Sequence, residues 1–387
     1  MIAIRTVDTA EGLESLAAGW ETLHAEAPVA SVFTSWLWQY EWWKVYGQDQ
    51  QLRVLVASEA GRTVGILPLY IQTSKVAGFP VRHLRLVGTG GDTYPDDLGP
   101  VLGGRSPGEV GRALAQAALR LRGWDILALA DMDARLRFHE AAADEARQAG
   151  LSLREGTAER ISFIDLPRSW DDYLKSASST RRWRIRNRRR KLAALGQVRF
   201  FVWDDPATLD CAMDQLIALH RKRWDASGER GSFATRQYND FHRAVMKGCL
   251  ERGWLRLYCL EIAGRIVAID YAYRFRNAVY FMQCGFDPEL AQHAIGSVLL
   301  GYAVEHAIAE GNLVWDFLRG EHGYKEEWGT GVRHTMAVTV QRRGLAALMH
   351  DTRTVHLPAL KAFARAVVGR GRDEGQGKGK LASPEIA

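Results

Sequence analysis

The sequence contains little cysteine and no long apolar run. Four cysteines occur among 387 residues, far apart and without any C-x-x-C pair: Cys211, Cys249, Cys259 and Cys284. This spacing argues against a zinc site and gives no disulfide framework. No window approaches the ~20 apolar residues that a membrane helix requires, and the first residues lack the basic-then-apolar order of a secretion signal. We therefore expect reduced thiols, no metal and a cytoplasmic protein.

Positive charge is concentrated in one stretch. The chain carries 51 Lys and Arg against 45 Asp and Glu, and eight of these cations lie between Arg181 and Lys191. Without those eight, 43 cations face 45 acids. A protein that wraps nucleic acid spreads its charge over a whole face, so we expect one phosphate-bearing ligand at one place and no stable nucleic-acid partner. The alternative is a solvated face that keeps a linker helix soluble.

A sequence pattern typical of strand, turn and strand occurs twice. Residues 52–71 and 255–273 alternate apolar positions on both sides of an Ala-Gly-Arg turn, with Gly264 lying 203 residues after Gly61. Alternation around a Gly-containing turn predicts an antiparallel hairpin. So long a spacing indicates one domain copied once. We predict an α/β chain (an α+β mixed sheet) built from two tandem copies of one unit.

The cations fall on a predicted helix between the copies. Ser179 or Thr180 is a suitable N-cap, and one apolar stripe joins Leu174, Ile185, Leu192 and Leu195. Arginine binds phosphate through bidentate contacts, so this helix could hold the phosphates of CoA, the backbone of a charged tRNA or an anionic lipid-linked sugar. A second amphipathic helix is predicted to end near Trp224.

The segment after the second hairpin is the strongest candidate for chemistry. An apolar helix is predicted from Gly296 and Ser297 to Gly311, followed by a buried strand in which Asp316 stands among apolar residues. Burial raises a carboxyl pKa unless a cation or donor meets it, and a raised pKa suits a general base. The alternative is a structural Asp paired with Arg319 or Lys325.

The order hairpin, strand, Gly-bearing loop, apolar helix and strand in residues 254–320 resembles the GNAT superfamily of acyl-CoA-dependent transferases. The string "DFLRGEHGYKEEWG" (residues 316–329) resembles the signature of the BcsL/CelD family, named for cellulose biosynthesis. The related FemABX transferases carry two GNAT folds in tandem. The resemblance covers about residues 30–345 and implies two GNAT-like domains joined by the basic helix. The expected divisions are 1–160 (N-terminal GNAT-like domain), 161–235 (basic connector and start of the second domain), 236–348 (catalytic GNAT-like domain) and 349–387 (basic amphipathic helix and tail).

The resemblance also implies roles for individual residues. Asp316 would be the base, Tyr324 or Lys325 would assist the leaving group, and Glu321 would lie at the cleft. The donor would bind where a loop enters the apolar helix, at Gln292, His293, Gly296 and Ser297, with phosphates on Arg182, Arg186 and Arg189. Acceptor contacts would come from Arg319, Trp328 and Trp224. Only one Gly stands in the loop, and Ile295 replaces the proline of the BcsL-like pattern; close helix packing is the alternative reason for Gly296.

We therefore expect an acyltransferase that moves an acyl group, acetyl from acetyl-CoA or that of another acyl-CoA, to an amine or hydroxyl. The acceptor would be a small molecule or a sugar, in polysaccharide or cell-envelope biosynthesis, on the resemblance alone. The alternatives are an aminoacyl-tRNA donor and a non-catalytic polyanion-binding protein. The basic C-terminal helix would allow peripheral membrane association.

Overall fold

A computed structural model describes residues 1–76, 78–228, 230–320 and 322–344. Glu321 and the basic helix predicted within residues 349–387 lie outside the described residues. The chain divides into two compact units, one formed by Met1–Ala158 with the segment that starts at Thr335, the other by Glu159–His334. The predicted mixed α/β class is confirmed in both.

The first unit contains two sheets. Its strands are β1 (Ala3–Val7), β2 (Gln51–Leu52), β3 (Val54–Glu59), β4 (Arg62–Leu67), β5 (Leu69–Val76), β6 (Phe79–Leu86), β7 (Val101–Leu102) and β8 (Ile126–Asp133). Its helices are α1 (Ala10–Ser15), α2 (Ala17–Glu26), α3 (Trp36–Tyr46), α4 (Pro107–Arg120) and α5 (Phe138–Gln148). One sheet has the order β1-β3-β4-β7 and is antiparallel throughout. The other includes β8-β6-β5-β2, in which β6 and β8 are parallel.

The second unit is a mixed sheet covered by helices. Strand β9 (Ser152–Asp165) leads into α6 (Trp170–Ser176), α7 (Ser179–Ala193), β10 (Val198–Trp203), α8 (Leu209–Ser227), α9 (Arg236–Glu251), β11 (Leu255–Ile262), β12 (Arg265–Phe275) and β13 (Ala278–Phe286). Then follow α10 (Ile295–Ala309), β14 (Val314–Asp316), α11 (Gly323–Trp328) and β15 (Gly331–Gln341), which from Thr335 onward belongs to the first unit and pairs there with β8. The strand order is β10-β11-β12-β13-β14-β9, with one parallel pair, β13 and β14.

Both predicted hairpins are present and match each other in detail. The turns place Ala60 and Gly61 at φ of +49° and +79°, and Ala263 and Gly264 at φ of +49° and +80°. Two successive residues with positive φ form the turn that matches strand twist in a two-residue hairpin. Each hairpin also carries a bulge at the equivalent place, after Ala57 in one and after Leu260 in the other. These positions are again 203 residues apart, so the repeat extends to the pairing register.

The basic helix differs from its prediction at both ends. The N-cap is Ser178, whose hydroxyl accepts from the Arg181 amide at 3.2 Å, one residue before the predicted caps. Leu174 belongs to the separate helix α6, because Ala177 is extended and breaks the chain between the helices. Leu195 follows the last helical turn and is 41% exposed. Only Ile185 and Leu192 anchor α7 in the core, so most of its surface stays accessible.

The core of the second unit lies between its sheet and α6, α7 and α10. α10 packs on β11, β12 and β13, and α8 packs on β12 and β13. Gly285 allows the second contact, since a Cβ there would stand 2.6 Å from the His220 amide nitrogen and 2.9 Å from the Leu216 carbonyl oxygen. α8 runs three residues past its predicted end at Trp224 and stops at Gly228, which has φ of +72°.

Candidate active site

The second unit contains a pair of parallel strands whose carboxyl ends lie toward the same edge of the sheet. β13 and β14 pair over three residues, from Ala278 opposite Val314 to Tyr280 opposite Asp316. β14 then ends, whereas β13 continues to Phe286. Among the residues that the structure describes, no ladder pair joins the rest of β13 to β14. Open α/β sheets bind ligands in such crevices outside the carboxyl ends of their strands.

Asp316 ends β14 and is 3% exposed. One carboxylate oxygen accepts from the Leu318 amide at 2.8 Å. The other accepts from Arg333, whose Nε and terminal nitrogen both lie 2.8 Å away. The carboxylate therefore contacts both a cation, Arg333, and a hydrogen-bond donor, the Leu318 amide. The partner is Arg333, which sequence reasoning did not single out, and not Arg319 or Lys325. The catalytic role of Asp316 stays a prediction.

Lys325 holds the loop that follows β14. It is buried, and its Nζ donates to the carbonyls of Phe317, Leu318 and Arg319 at 2.9, 3.1 and 2.5 Å. In this loop Leu318 has φ of +54°, a conformation that costs a branched side chain free energy. Three convergent bonds from one ammonium fix that conformation, so the geometry gives Lys325 a positioning role.

Tyr324 lies on the first turn of α11 and is buried against the ring of Phe317, with ring centres 6.0 Å apart at 84°. Burial raises the pKa of the Tyr324 phenol well above its ordinary value, with a smaller opposing effect from Arg223. The phenol therefore stays protonated at neutral pH, but so high a pKa makes it a weaker acid than one matched to that pH. Tyr324 belongs to the buried core of the second unit, and its role as the acid stays a prediction.

A buried polar cluster lies beside Tyr324, and sequence reasoning missed most of it. Asp270 stands in the middle of β12, opposite Cys284 on β13, and is 3% exposed. A terminal nitrogen of Arg223, a buried residue of α8, lies 3.1 Å from the Cys284 sulfur. Burial raises the pKa of Asp270 well above its ordinary value, and Arg223 opposes that shift. A charged residue inside the apolar run "RIVAIDYAY" was the available signal.

His220 connects α8 to the same strand. Its Nδ1 lies 2.8 Å from the Cys284 carbonyl oxygen, and its Nε2 accepts from the Ser232 amide at 3.2 Å. This pattern fits the neutral ring with the proton on Nδ1. Burial lowers the pKa of His220 to about 4. His220 therefore ties the end of α8 to β13 as an uncharged donor.

A second feature is a cleft of about 400 Å³ between α7 and the start of α10, lined by Trp183, Arg184, Asn187, Arg188, Lys191, Ala291, Gln292, His293 and Ala294. Ala294 precedes α10 in the left-handed conformation, and no side chain caps this helix. An uncapped helix N-terminus presents backbone N–H groups and a partial positive charge to anions. Arg188 reaches from α7 to the Ser297 hydroxyl at 2.8 Å.

The predicted donor residues thus separate into groups. Gln292 and His293 line the cleft, and Gly296 and Ser297 are buried in the first turn of α10. Arg182 and Arg186 line a neighbouring cleft of about 270 Å³ on α7. Arg189 turns inward to α10, pairing with Glu305 at 2.6 Å and stacking 3.9 Å from the Tyr302 ring centre. In its place the cleft contains Arg184, Arg188 and Lys191.

The predicted acceptor residues do not converge. Trp328 is buried and stacks on Tyr173 with ring centres 6.1 Å apart, so it is a core residue here. Arg319 pairs with Glu159 at 3.6 Å. Trp224 lines a separate cavity of about 140 Å³ with His220 and Phe233.

Two absences apply to the described part of the chain alone. No group of three or more His, Cys, Asp or Glu there is placed to hold a metal ion. None of its helices combines the length and apolarity needed to cross a membrane.

Residues 178–326 match the family described as an acetyltransferase (GNAT) domain. This region runs from the N-cap of α7 into α11 and contains both the cleft and the paired strands β13 and β14. No curated protein sequence matches the chain.

Solved structures resemble most of the chain in fold. FemX is 12% identical, with a TM-score of 0.59 over 87% of this chain and 96% of that one. A conserved protein of unknown function from Bacteroides thetaiotaomicron is 13% identical, with a TM-score of 0.55 over 88% of this chain and 100% of that one. L-PGS from Bacillus licheniformis is also 13% identical, with a TM-score of 0.51 over 88% of this chain and 95% of that one. The fold is a tandem GNAT-like fold. That part of the prediction is confirmed; the BcsL/CelD assignment stays a prediction.

Proposed function

We propose that this protein is an acyltransferase that uses an acyl-CoA, with acetyl-CoA as the first candidate. The observation that carries the proposal is the cleft between α7 and α10. It combines an uncapped helix N-terminus with Arg184, Arg188 and Lys191. The donor's pyrophosphate would lie against the first turn of α10, with these cations around it. The match of residues 178–326 to an acetyltransferase (GNAT) domain supports this reading.

The chemistry would take place beside β13, beyond the end of β14 at Asp316. The neutral nitrogen of an amine acceptor attacks the thioester carbonyl carbon, and the C–S bond then breaks. Backbone N–H groups of β13 beyond Tyr280 would face the oxyanion. Tyr324, the acid named by the resemblance, would protonate the departing thiolate, and its phenolate would then recover a proton from water. The proton released by the amine would pass to a carboxylate or to water; Asp316 is the candidate named by the resemblance.

The acceptor class rests on that resemblance alone. A sugar amine or hydroxyl in polysaccharide or cell-envelope biosynthesis is the proposal. A second donor, aminoacyl-tRNA, is favoured by the cations of α7 that line the neighbouring cleft, Arg182 and Arg186. Such cations would meet further phosphates of a larger donor.

The test is thiol release. The full-length protein is incubated with acetyl-CoA and glucosamine, a lysine amide or ethanolamine, and free CoA thiol is measured over time. We expect acceptor-dependent release that Lys247→Glu, a charge reversal at an exposed position of α9, leaves unchanged. Release of amino acid from aminoacyl-tRNA without consumption of acetyl-CoA would show that aminoacyl-tRNA, and not acetyl-CoA, is the donor. Binding of polyanions with no turnover of either donor would contradict the enzyme and favour the polyanion-binding alternative.

A further inference from the structure

We propose that Trp183 is a stacking platform for the nucleobase of the donor. The inference rests on the proposed function, because it assigns a further contact at the same cleft. It adds a residue that the resemblance does not supply; the 5′ and 3′ phosphates belong to the acyl-CoA already proposed.

Trp183 is 62% exposed, although it lies on a helix whose apolar residues Ile185 and Leu192 are buried. It is shared by both clefts of α7: the one toward α10 and the neighbouring one lined by Arg182, Arg186 and Arg190. The indole therefore stands on the ridge between two basic grooves. Aromatic rings placed this way stack on bases, and every base offers a π face.

The cations on both sides of Trp183 are largely unneutralised. Within the described residues, Arg182, Arg186 and Lys191 make no ion pair. Arg184 pairs with the partly exposed Glu327 at 3.3 Å, and Arg190 donates only to the neutral Asn187. Like charges this dense repel one another, so the helix is stabilised by an anion that reaches both grooves.

The two grooves beside Trp183 indicate where the phosphates of the ligand would lie. A base on Trp183 places its 5′ phosphates in the groove that ends at α10, and its 3′ phosphate in the groove of Arg182 and Arg186. CoA carries this arrangement, with a 5′ diphosphate and a 3′ phosphate on adenosine. Nucleotides just before the 3′ end of a tRNA carry it too, as a phosphodiester on each side, whereas the terminal adenosine has no 3′ phosphate. The shared chemistry is a nucleoside with phosphates at both positions.

A membrane surface is the other kind of partner that a Trp and Arg helix can meet. An interfacial helix presents a broad apolar face to the lipid. On α7 the other large apolar side chains, Ile185 and Leu192, are buried in the protein core, and Trp183 stands alone between concave grooves. The arrangement therefore favours a nucleotide.

The test is a calorimetric titration of the full-length protein with adenosine 3′,5′-bisphosphate and with 5′-AMP. We expect tighter binding of the bisphosphate. Trp183→Leu, which keeps apolar bulk without a ring, weakens it about tenfold, and Trp183→Phe retains most of the affinity. In the double variant Arg182→Glu with Arg186→Glu, the Kd for the bisphosphate becomes similar to the Kd for 5′-AMP, because the 3′ phosphate no longer contacts these two arginines. Lys247→Glu gives the wild-type values.

The outcomes separate the two proposals. Trp183-dependent binding of the bisphosphate without turnover of acetyl-CoA supports the platform and contradicts the acyl-CoA reaction. Turnover of acetyl-CoA with the same Kd in wild type and Trp183→Leu contradicts the platform and leaves the reaction standing. Absence of bisphosphate binding also contradicts the platform.

Two further binding experiments identify which molecule supplies the nucleotide. CoA binding more tightly than dephospho-CoA, with loss of that preference in the double arginine variant, identifies CoA. A short RNA ending in ACCA that binds more tightly than CoA, with the same dependence on Trp183, identifies a tRNA end. Trp183-dependent sedimentation with phosphatidylglycerol vesicles, in a protein that binds neither nucleotide, overturns the inference.

Discussion

The guanidinium of Arg333 forms an ion pair with one carboxylate oxygen of Asp316: its Nε donates to that oxygen at 2.8 Å, and a terminal nitrogen lies equally close. Asp316 is buried at the end of β14, so removal of the cation leaves an unpaired carboxylate in the interior. We expect Arg333→Met to lower the free energy of unfolding by about 3 kcal/mol, measured by urea denaturation. Asp316→Asn combined with Arg333→Met recovers part of the loss.

Arg199→Met is the matched control, because Arg199 forms an exposed pair with Glu261, and it leaves stability nearly unchanged. If Arg333→Met is fully stable while Asp316→Asn folds normally and loses turnover, Asp316 is the base that its sequence context predicts.

Lys325 is expected to contribute to stability through the loop after β14. Lys325→Met leaves the carbonyls of residues 317–319 without their shared donor, so the free energy of unfolding falls by about 3 kcal/mol. Lys325→Arg does not restore it, because a planar guanidinium cannot converge on three oxygens. Lys175→Met on α6 is an exposed control. A stable Lys325→Met protein with a lower kcat would instead support the catalytic role implied by the family resemblance.

Tyr324→Phe should lower kcat about a hundredfold and leave the Kd for acetyl-CoA unchanged, since the phenol acts only on the departing thiolate. The raised pKa of Tyr324 also means that its deprotonation produces no basic limb in the rate below about pH 10. The control is Tyr173→Phe, a second buried tyrosine whose pKa burial raises to about 12. Equal kcat values in wild type and Tyr324→Phe would rule out Tyr324 as the acid.

His220 should make the protein sensitive to acid. Burial lowers its folded pKa to about 4 from about 6.5 in the unfolded chain. The stability that comes from the neutral ring is therefore complete above pH 6.5 and is lost as the pH falls through 4, up to about 3 kcal/mol. Urea unfolding at pH 4 to 7 should show His220→Gln with lower stability at pH 7 and a smaller slope.

A residual slope is expected in that variant, because burial also lowers the pKa of His242, to about 3. His334→Gln, at an exposed position, keeps the wild-type slope. A wild-type slope in His220→Gln would show that the ring is not buried in its neutral form.

Local signals predicted the fold well. Ala-Gly-Arg turns fix the hairpins at Gly61 and Gly264 because both turns need two residues with positive φ. The break between α6 and α7 was missed because Ser178 and Ser179 are equally good caps, and only the extended Ala177 decides between them.

Much of the candidate site could not be predicted, because its contacts join residues that are far apart in the sequence. Arg333 lies 17 residues from Asp316, and Arg223 lies 61 residues from Cys284. Neither separation follows a helix or strand period, so no pattern in the sequence predicted these pairs. Which arginines of α7 face the cleft was equally open, because the helix is basic on most of its circumference; packing against α10 directs Arg189 inward.

The cleft between α7 and the start of α10 is best tested by the Kd for acetyl-CoA. Isothermal calorimetry would compare wild type, Arg184→Glu with Arg188→Glu, and the Lys247→Glu control at two salt concentrations. We predict saturable binding by wild type and the control, weaker at high salt, and at least a hundredfold loss in the double variant. Equal binding by the double variant and wild type, or none by wild type at millimolar acetyl-CoA, would contradict a donor site in this cleft.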